Sequence, residues 1–213
     1  MECVEIYHGS DASMLSILDA YSGMAESDLR TRSVVPADPT RACELRATAI
    51  SFVFAKEIRA NAIAKRNTPS AFDCPDGSLP SVTAAEYVFR FMRYIPGMRE
   101  IGIVALALVD RFLTMDGVSL SEANVHRIWL SSAVVAHKFT EDHYYSGTYY
   151  AKIAGIGVGE LNDLQLKFFA GIGYCANVTK DEYGEYERPI EILESTVRSR
   201  GNLGEYFANG GKL

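Results

Sequence analysis

The side chains that could do chemistry in this 213-residue chain are few and scattered. His8, His126, His137 and His143 are the natural candidates for proton transfer or metal binding, because imidazole titrates near neutrality and ligates zinc readily. The last three are eleven and six residues apart, so no two sit one helical turn from each other, as a metal-binding pair would. Cys3, Cys43, Cys74 and Cys175 include no Cys-x-x-Cys pair and have no histidine at zinc-ligand spacing, which reads as free thiols and no metal site. Glu141 and Asp142 could work as an acid and base, but adjacent acids after a helix are ordinarily solvated. Gly155-Ile156-Gly157-Val158-Gly159 approximates a dinucleotide loop, yet Glu160 stands where the last glycine is required and no strand precedes it. Neither a Walker loop nor a Gly-x-Ser-x-Gly elbow is present. These residues point to no catalysis, no cofactor and no small-molecule substrate.

Composition narrows the partners. A net charge of −6 argues against a nucleic-acid binder, which needs a strong basic field. The basic stretch Lys56 to Arg66 reads as the solvated end of a helix. Apolar runs such as Ile101 to Val109 and Ile128 to Ala136 reach only nine residues, against about 20 for a membrane span. With acids rather than a basic and apolar leader at Met1 to Ile6, the expected address is intracellular, in the nucleus or cytoplasm.

Hydrophobic spacing predicts an all-α chain. A short helix over Met14 to Tyr21 precedes a Pro36 and Pro39 linker, and a long amphipathic helix follows over Arg41 to Lys65. Pro69, Pro75, Gly77 and Pro80 make residues 67–80 an irregular connection. Capping boxes at Thr83 with Glu86, Ser119 with Glu122 and Thr179 with Glu182 mark helix starts. The first opens a helix ending at Pro96-Gly97, followed by one from Arg99 to Met115. The third, from Ser121 to Phe139, is apolar almost all round and should be the hub. Shorter helices follow near Thr148 to Ala154, over Gly159 to Ile172, after Thr179, and from Arg188 to Arg200, and the glycine-rich tail 201–213 reads as mobile. Asp110 shares a helix side with Ile103, Leu106 and Leu113, so it should be buried and seek a cation. Arg90 is one candidate. Local pairing of Asp110 with Arg111 or Arg99 is the other. Thr68-Pro69 could serve a proline-directed kinase or be a plain turn.

The order of signals resembles a cyclin box. Tyr94-Ile95-Pro96-Gly97, Ala107 to Leu113 with its Asp110-Arg111, Asn124-Val125-His126-Arg127, and Val134-Val135-Ala136-His137-Lys138-Phe139 follow one another at the right separations. The continuation through Asp142 to Tyr145, Tyr149 to Ile156, Glu160-Leu161-Asn162 and Asn177-Val178-Thr179 is similar to the phosphate-regulatory, or P-type, cyclins of fungi and protists. The resemblance covers roughly Ile50 to Tyr183. It implies a single five-helix box with an additional N-terminal helix and a short C-terminal helical extension. The corresponding division is an arm and flanking helix over 1–66, the connection 67–80, the box core 81–183 and the extension 184–213.

The resemblance further implies a regulatory subunit of a cyclin-dependent protein kinase, without catalysis of its own. In that family the lysine closing the third helix and a glutamate on the fifth grip the kinase's mobile regulatory helix at its backbone. The lysine corresponds to Lys138, followed by Phe139. The glutamate position corresponds to Gln165, a departure that forgoes a charge-assisted bond. Thr140 replaces a common acid, so Glu141 and Asp142 are the candidates for that role. The family's helix-one arginine and its aspartate correspond to Arg90 and Asp110, a structural pair. Phe89-Arg90-Phe91-Met92-Arg93 stands at the substrate-docking patch of some cell-cycle cyclins, and docking is not transferred to it. On its residues alone, Lys138 could equally be a C-terminal lysine held by the helix dipole. The alternative function is a cyclin-fold adaptor or scaffold in transcription or signalling, with no kinase.

Overall fold

A computed structural model describes residues 14–22, 38–66 and 68–200 of the chain. Eight helices and no strand occur among the described residues: α1 (Met14–Ser22), α2 (Pro39–Ile63), α3 (Ala84–Tyr94), α4 (Met98–Asp116), α5 (Val125–Thr140), α6 (Gly147–Ala154), α7 (Val158–Gly171) and α8 (Lys180–Arg200). The all-α expectation holds. The expected tail over 201–213, with Cys3 and His8, lies outside the described residues.

Helix α5 is the hub because its sequence leaves no polar face to give to water: Ile128, Trp129, Leu130, Ala133, Val134 and Ala136 are all buried. It packs against α3, α4 and α7, while α6 bridges α3 and α7, and α2 lies across α3, α4 and α8. Edge-on contacts tie Phe54 of α2 to Trp129, and Phe72 of the connection to Phe112 of α4. Phe112 in turn stacks on Phe168 of α7 at 4.9 Å. The 68–80 segment is irregular, as its prolines dictate, but it is pinned through Phe72 and through Arg127, which donates to the Asp73 carbonyl.

Side-chain caps open α2, α3, α6 and α8. Thr83 and Glu86 form a reciprocal box at α3, and Thr179 and Glu182 cap the start of α8. Ser119 and Glu122 do not start α5, which begins at Val125. Asn124 takes over, accepting from the Ser121 amide and donating to the Ser119 carbonyl and the Asp73 carboxylate, so it ties the loop down. Residues 180–200 form a single helix where two were expected. Pro189 removes one backbone donor, but Tyr186, Pro189, Ile190, Leu193 and Val197 make one continuous buried stripe, and that packing carries the helix through. Helix α1 lies in the cleft between α8 and α2, with Met14 and Leu18 buried.

Candidate functional site

At the C-terminal end of α5, Lys138 and Gln165 come together. The Lys138 ammonium donates to Gln165 Oε1 at 2.7 Å, and Gln165 Nε2 donates to the Leu161 carbonyl one turn back on α7. The amide thus turns its oxygen towards Lys138. The ring of Tyr150, 5.8 Å below the ammonium, completes the seat. Burial lowers the Lys138 pKa, as removal of water from an ammonium must. Phe139, the next residue, is 57% exposed, and on α7 Val158, Asn162 and Leu166 occupy the same solvent-facing side as Gln165. Glu141 and Asp142 are exposed just past α5. A Cβ placed on Gly97 would sit 3.4 Å from Glu141 Oε1, so Glu141 lies beside the turn between α3 and α4, whose Gly97 has φ of 74°.

An aromatic cluster fixes this end of α5. The Tyr150 hydroxyl accepts from the Tyr145 amide at 3.1 Å and shares a hydrogen bond with His137 Nδ1 at 2.9 Å. The ring nitrogen facing away from Tyr150 donates to the Pro96 carbonyl, so in the neutral ring Nε2 carries the proton and Nδ1 accepts from the Tyr150 hydroxyl. Burial favours that neutral form and lowers the His137 pKa. Tyr145 stacks on Tyr149 at 4.4 Å, and the Tyr149 hydroxyl donates to the Tyr94 carbonyl at 2.7 Å, which joins α6 to the end of α3. Sequence reasoning saw these tyrosines only as part of a family pattern. Tyr150, fully buried beside a buried histidine, is the supporting residue it missed, and no periodicity signal could have paired residues 137 and 150.

The expected Arg90 and Asp110 pair is not formed. Asp110 is buried as anticipated, but it accepts from the Met14 amide at 2.8 Å and from the Tyr186 hydroxyl at 2.7 Å. Arg90 donates to the Ile153 carbonyl at 3.4 Å and lies over the Tyr87 ring, towards α6. The reason is that α1 and α8, rather than α3, close over Asp110, and a helix N-terminus supplies the donor that an arginine was expected to provide. The local alternatives are absent too. Arg111 binds Glu182 at 2.7 Å and the Cys175 and Asn177 carbonyls, while Arg99 binds Glu194 at 3.2 Å. Glu194 also pairs with Arg46, which is 1% exposed. No cluster of three or more His, Cys, Asp or Glu able to hold a metal occurs among the described residues, and no helix there is long and apolar enough to cross a membrane.

A family model described as Cyclin matches residues 13–176, a span that takes in α1 and α2 as well as the five helices α3 to α7. Cyclin-U4-1 of Arabidopsis thaliana is 36% identical over 110 residues, covering 51% of this chain and 54% of that protein. Cyclin-U4-3 of the same species is 33% identical over 141 residues, covering 65% and 64%. Cyclin-P2-1 of Oryza sativa subsp. japonica is 32% identical over 121 residues, covering 57% and 55%, so P-type cyclins are among the relatives. The chain spans about half the length of the first curated relatives it matches. With the family model matching well over half of its residues, the chain belongs to the cyclin family.

Proposed function

We propose that the chain is a regulatory subunit that binds a cyclin-dependent protein kinase through the face built by the end of α5 and by α7, and that it has no catalytic activity of its own. The observation that carries this reading is the meeting of Lys138 and Gln165, 27 residues apart, on a half-buried seat beside exposed Phe139 and Leu166. An apolar surface with a fixed polar centre is the pattern of a recognition site. A kinase becomes active when its mobile regulatory helix is held so that its glutamate reaches the nucleotide-binding lysine, so contact with a rigid helical face suffices to switch it. Trp129, Tyr150 and the His137 bond supply that rigidity from below. Glu141 and Asp142, exposed at the rim, are placed to steer the partner. Such a role belongs in the nucleus or cytoplasm.

The test is affinity capture of the tagged chain from its source cells, with a protein-kinase assay on the eluate and Lys138→Glu run in parallel. Co-purifying kinase activity that the substitution abolishes supports the reading. Capture without kinase activity, or activity indifferent to Lys138→Glu, would leave a cyclin-fold adaptor working through another surface.

A further inference from the structure

We infer that Thr68 is a phosphorylation site for a proline-directed protein kinase, and that the phosphate it receives is held by Arg66 and Lys65 at the end of α2. The Asn61 side chain of α2 donates to the Leu120 carbonyl ahead of α5, so this end of α2 stands at the opposite end of α5 from Lys138, and the inference is independent of the face proposed above. Of the seven prolines in the chain only Pro69 follows a serine or threonine, which leaves a proline-directed enzyme a single target. Thr68 and Pro69 are both exposed and lie outside any helix. The proline bars Thr68 from helical backbone and keeps it extended, the form in which a protein kinase takes a substrate hydroxyl.

The charge that precedes Thr68 distinguishes it from a plain turn. Helix α2 ends in a fixed reversal: Lys65 takes φ of 54°, and the Lys65 and Arg66 amides donate to the Ala62 and Asn61 carbonyls. Past Thr68 the chain is anchored again, with the Ser70 amide on the Asp73 carboxylate at 2.9 Å and Phe72 buried. Arg59, Lys65 and Arg66 are exposed and take part in none of the ion pairs of the described residues. The acids of the neighbouring segments are Glu57, Asp73, Asp116 and Glu122. Glu57 is buried and bonds Asn61, with Arg66 the weakest influence on it, and Asp73 accepts from Ser70 and Asn124. Asp116 lies beside Gly171, and Glu122 is exposed in the loop before α5. Three exposed cations outside any ion pair attract a dianion, and the planar guanidinium of Arg66 offers it two parallel hydrogen bonds.

In the transfer the Thr68 hydroxyl oxygen bonds to the γ-phosphorus of ATP, the bond to the ADP oxygen breaks, and the hydroxyl proton passes to the kinase's base. The phosphate then ties the connection to α2. Because Phe72 of that connection packs against Phe112 and Phe168, the tie tightens the core beneath α7.

The experiment incubates the full chain, Thr68→Val and Arg66→Gln with a purified proline-directed kinase and ATP, counts phosphates by intact mass, and records thermal unfolding before and after at low and high salt. The melts taken before treatment confirm that each exposed-site variant is folded. One phosphate is expected on the wild type and on Arg66→Gln, and none on Thr68→Val. Phosphorylation should raise the wild-type midpoint by about 2 °C or more at low salt, less at high salt, and by no more than about half as much in Arg66→Gln. A folded wild type that takes up no phosphate, or takes it up equally as Thr68→Val, overturns the site. A midpoint that stays or falls on phosphorylation, or a rise undiminished in Arg66→Gln, overturns the phosphate clamp.

Discussion

Two regions of this molecule handle charge in opposite ways. Where α2, α4 and α8 meet, buried ionic groups are closed on one another: Arg46 and Arg99 share Glu194, Arg111 holds Glu182 and two carbonyls, and Asp110 receives the first amide of α1 and the Tyr186 hydroxyl. At the end of α5, Lys138 rests against an amide and an aromatic ring, both neutral. Paired charges in the first region fix how helices far apart in sequence dock, since removing one partner leaves a buried charge uncompensated. A charge seated on neutral groups does little for the fold and keeps its attraction for something outside it.

The largest expected effect lies in the paired region. Glu194→Ala leaves Arg46 buried without its counter-ion and should cost about 3–5 kcal/mol in urea unfolding. A loss under about 1 kcal/mol would mean that the two regions do not differ as described. Asp110→Ala comes next, at about 2 kcal/mol, because the Met14 amide and the Tyr186 hydroxyl both lose their acceptor. In a double-mutant cycle with Arg90→Ala, its coupling should stay below about 0.5 kcal/mol, since Arg90 turns to Ile153 and Tyr87 instead.

His137 sharpens the comparison through pH. Burial holds its imidazole below the ordinary 6.5, so as pH falls through that value the unfolded chain takes up the proton first. Its contribution to stability is whole above pH 6.5 and is lost as pH drops towards the folded-state value, with a slope of at most about 1.4 kcal/mol per pH unit. His126, also lowered by burial, adds a slope of the same sign, and Glu57, raised by burial, opposes both at lower pH. The difference between wild type and His137→Gln isolates the one group, and the variant should lose less stability between pH 7 and 5. The smallest effect on folding belongs to Lys138→Met, within about 0.5 kcal/mol by the same unfolding measurement.

Much of this was legible in the residues. The apolar circumference of Ile128 to Ala136 fixed the hub, Thr83 with Glu86 fixed the start of α3, and motif order singled out Lys138 and Gln165, whose side chains meet at 2.7 Å. The failures share a physical cause. Capping boxes and proline stops are local rules, and they yielded where a distant contact was stronger: Asn124 reaching Asp73 displaced the start of α5, and the buried stripe of α8 overrode Pro189. Asp110 was correctly placed inside, but its partners, 96 and 76 residues away, come from helices whose docking no periodicity encodes.

The central proposal is that Lys138 serves recognition and not folding, and one measurement addresses it directly: the dissociation constant of the chain for a cyclin-dependent kinase, wild type against Lys138→Glu, with unfolding free energies taken on the same preparations. Binding weaker by about tenfold or more at unchanged stability is the expected result, because a glutamate at 138 removes the ammonium donor from the proposed interface and reverses the charge there. Equal dissociation constants would contradict the account and remove Lys138 from the interface.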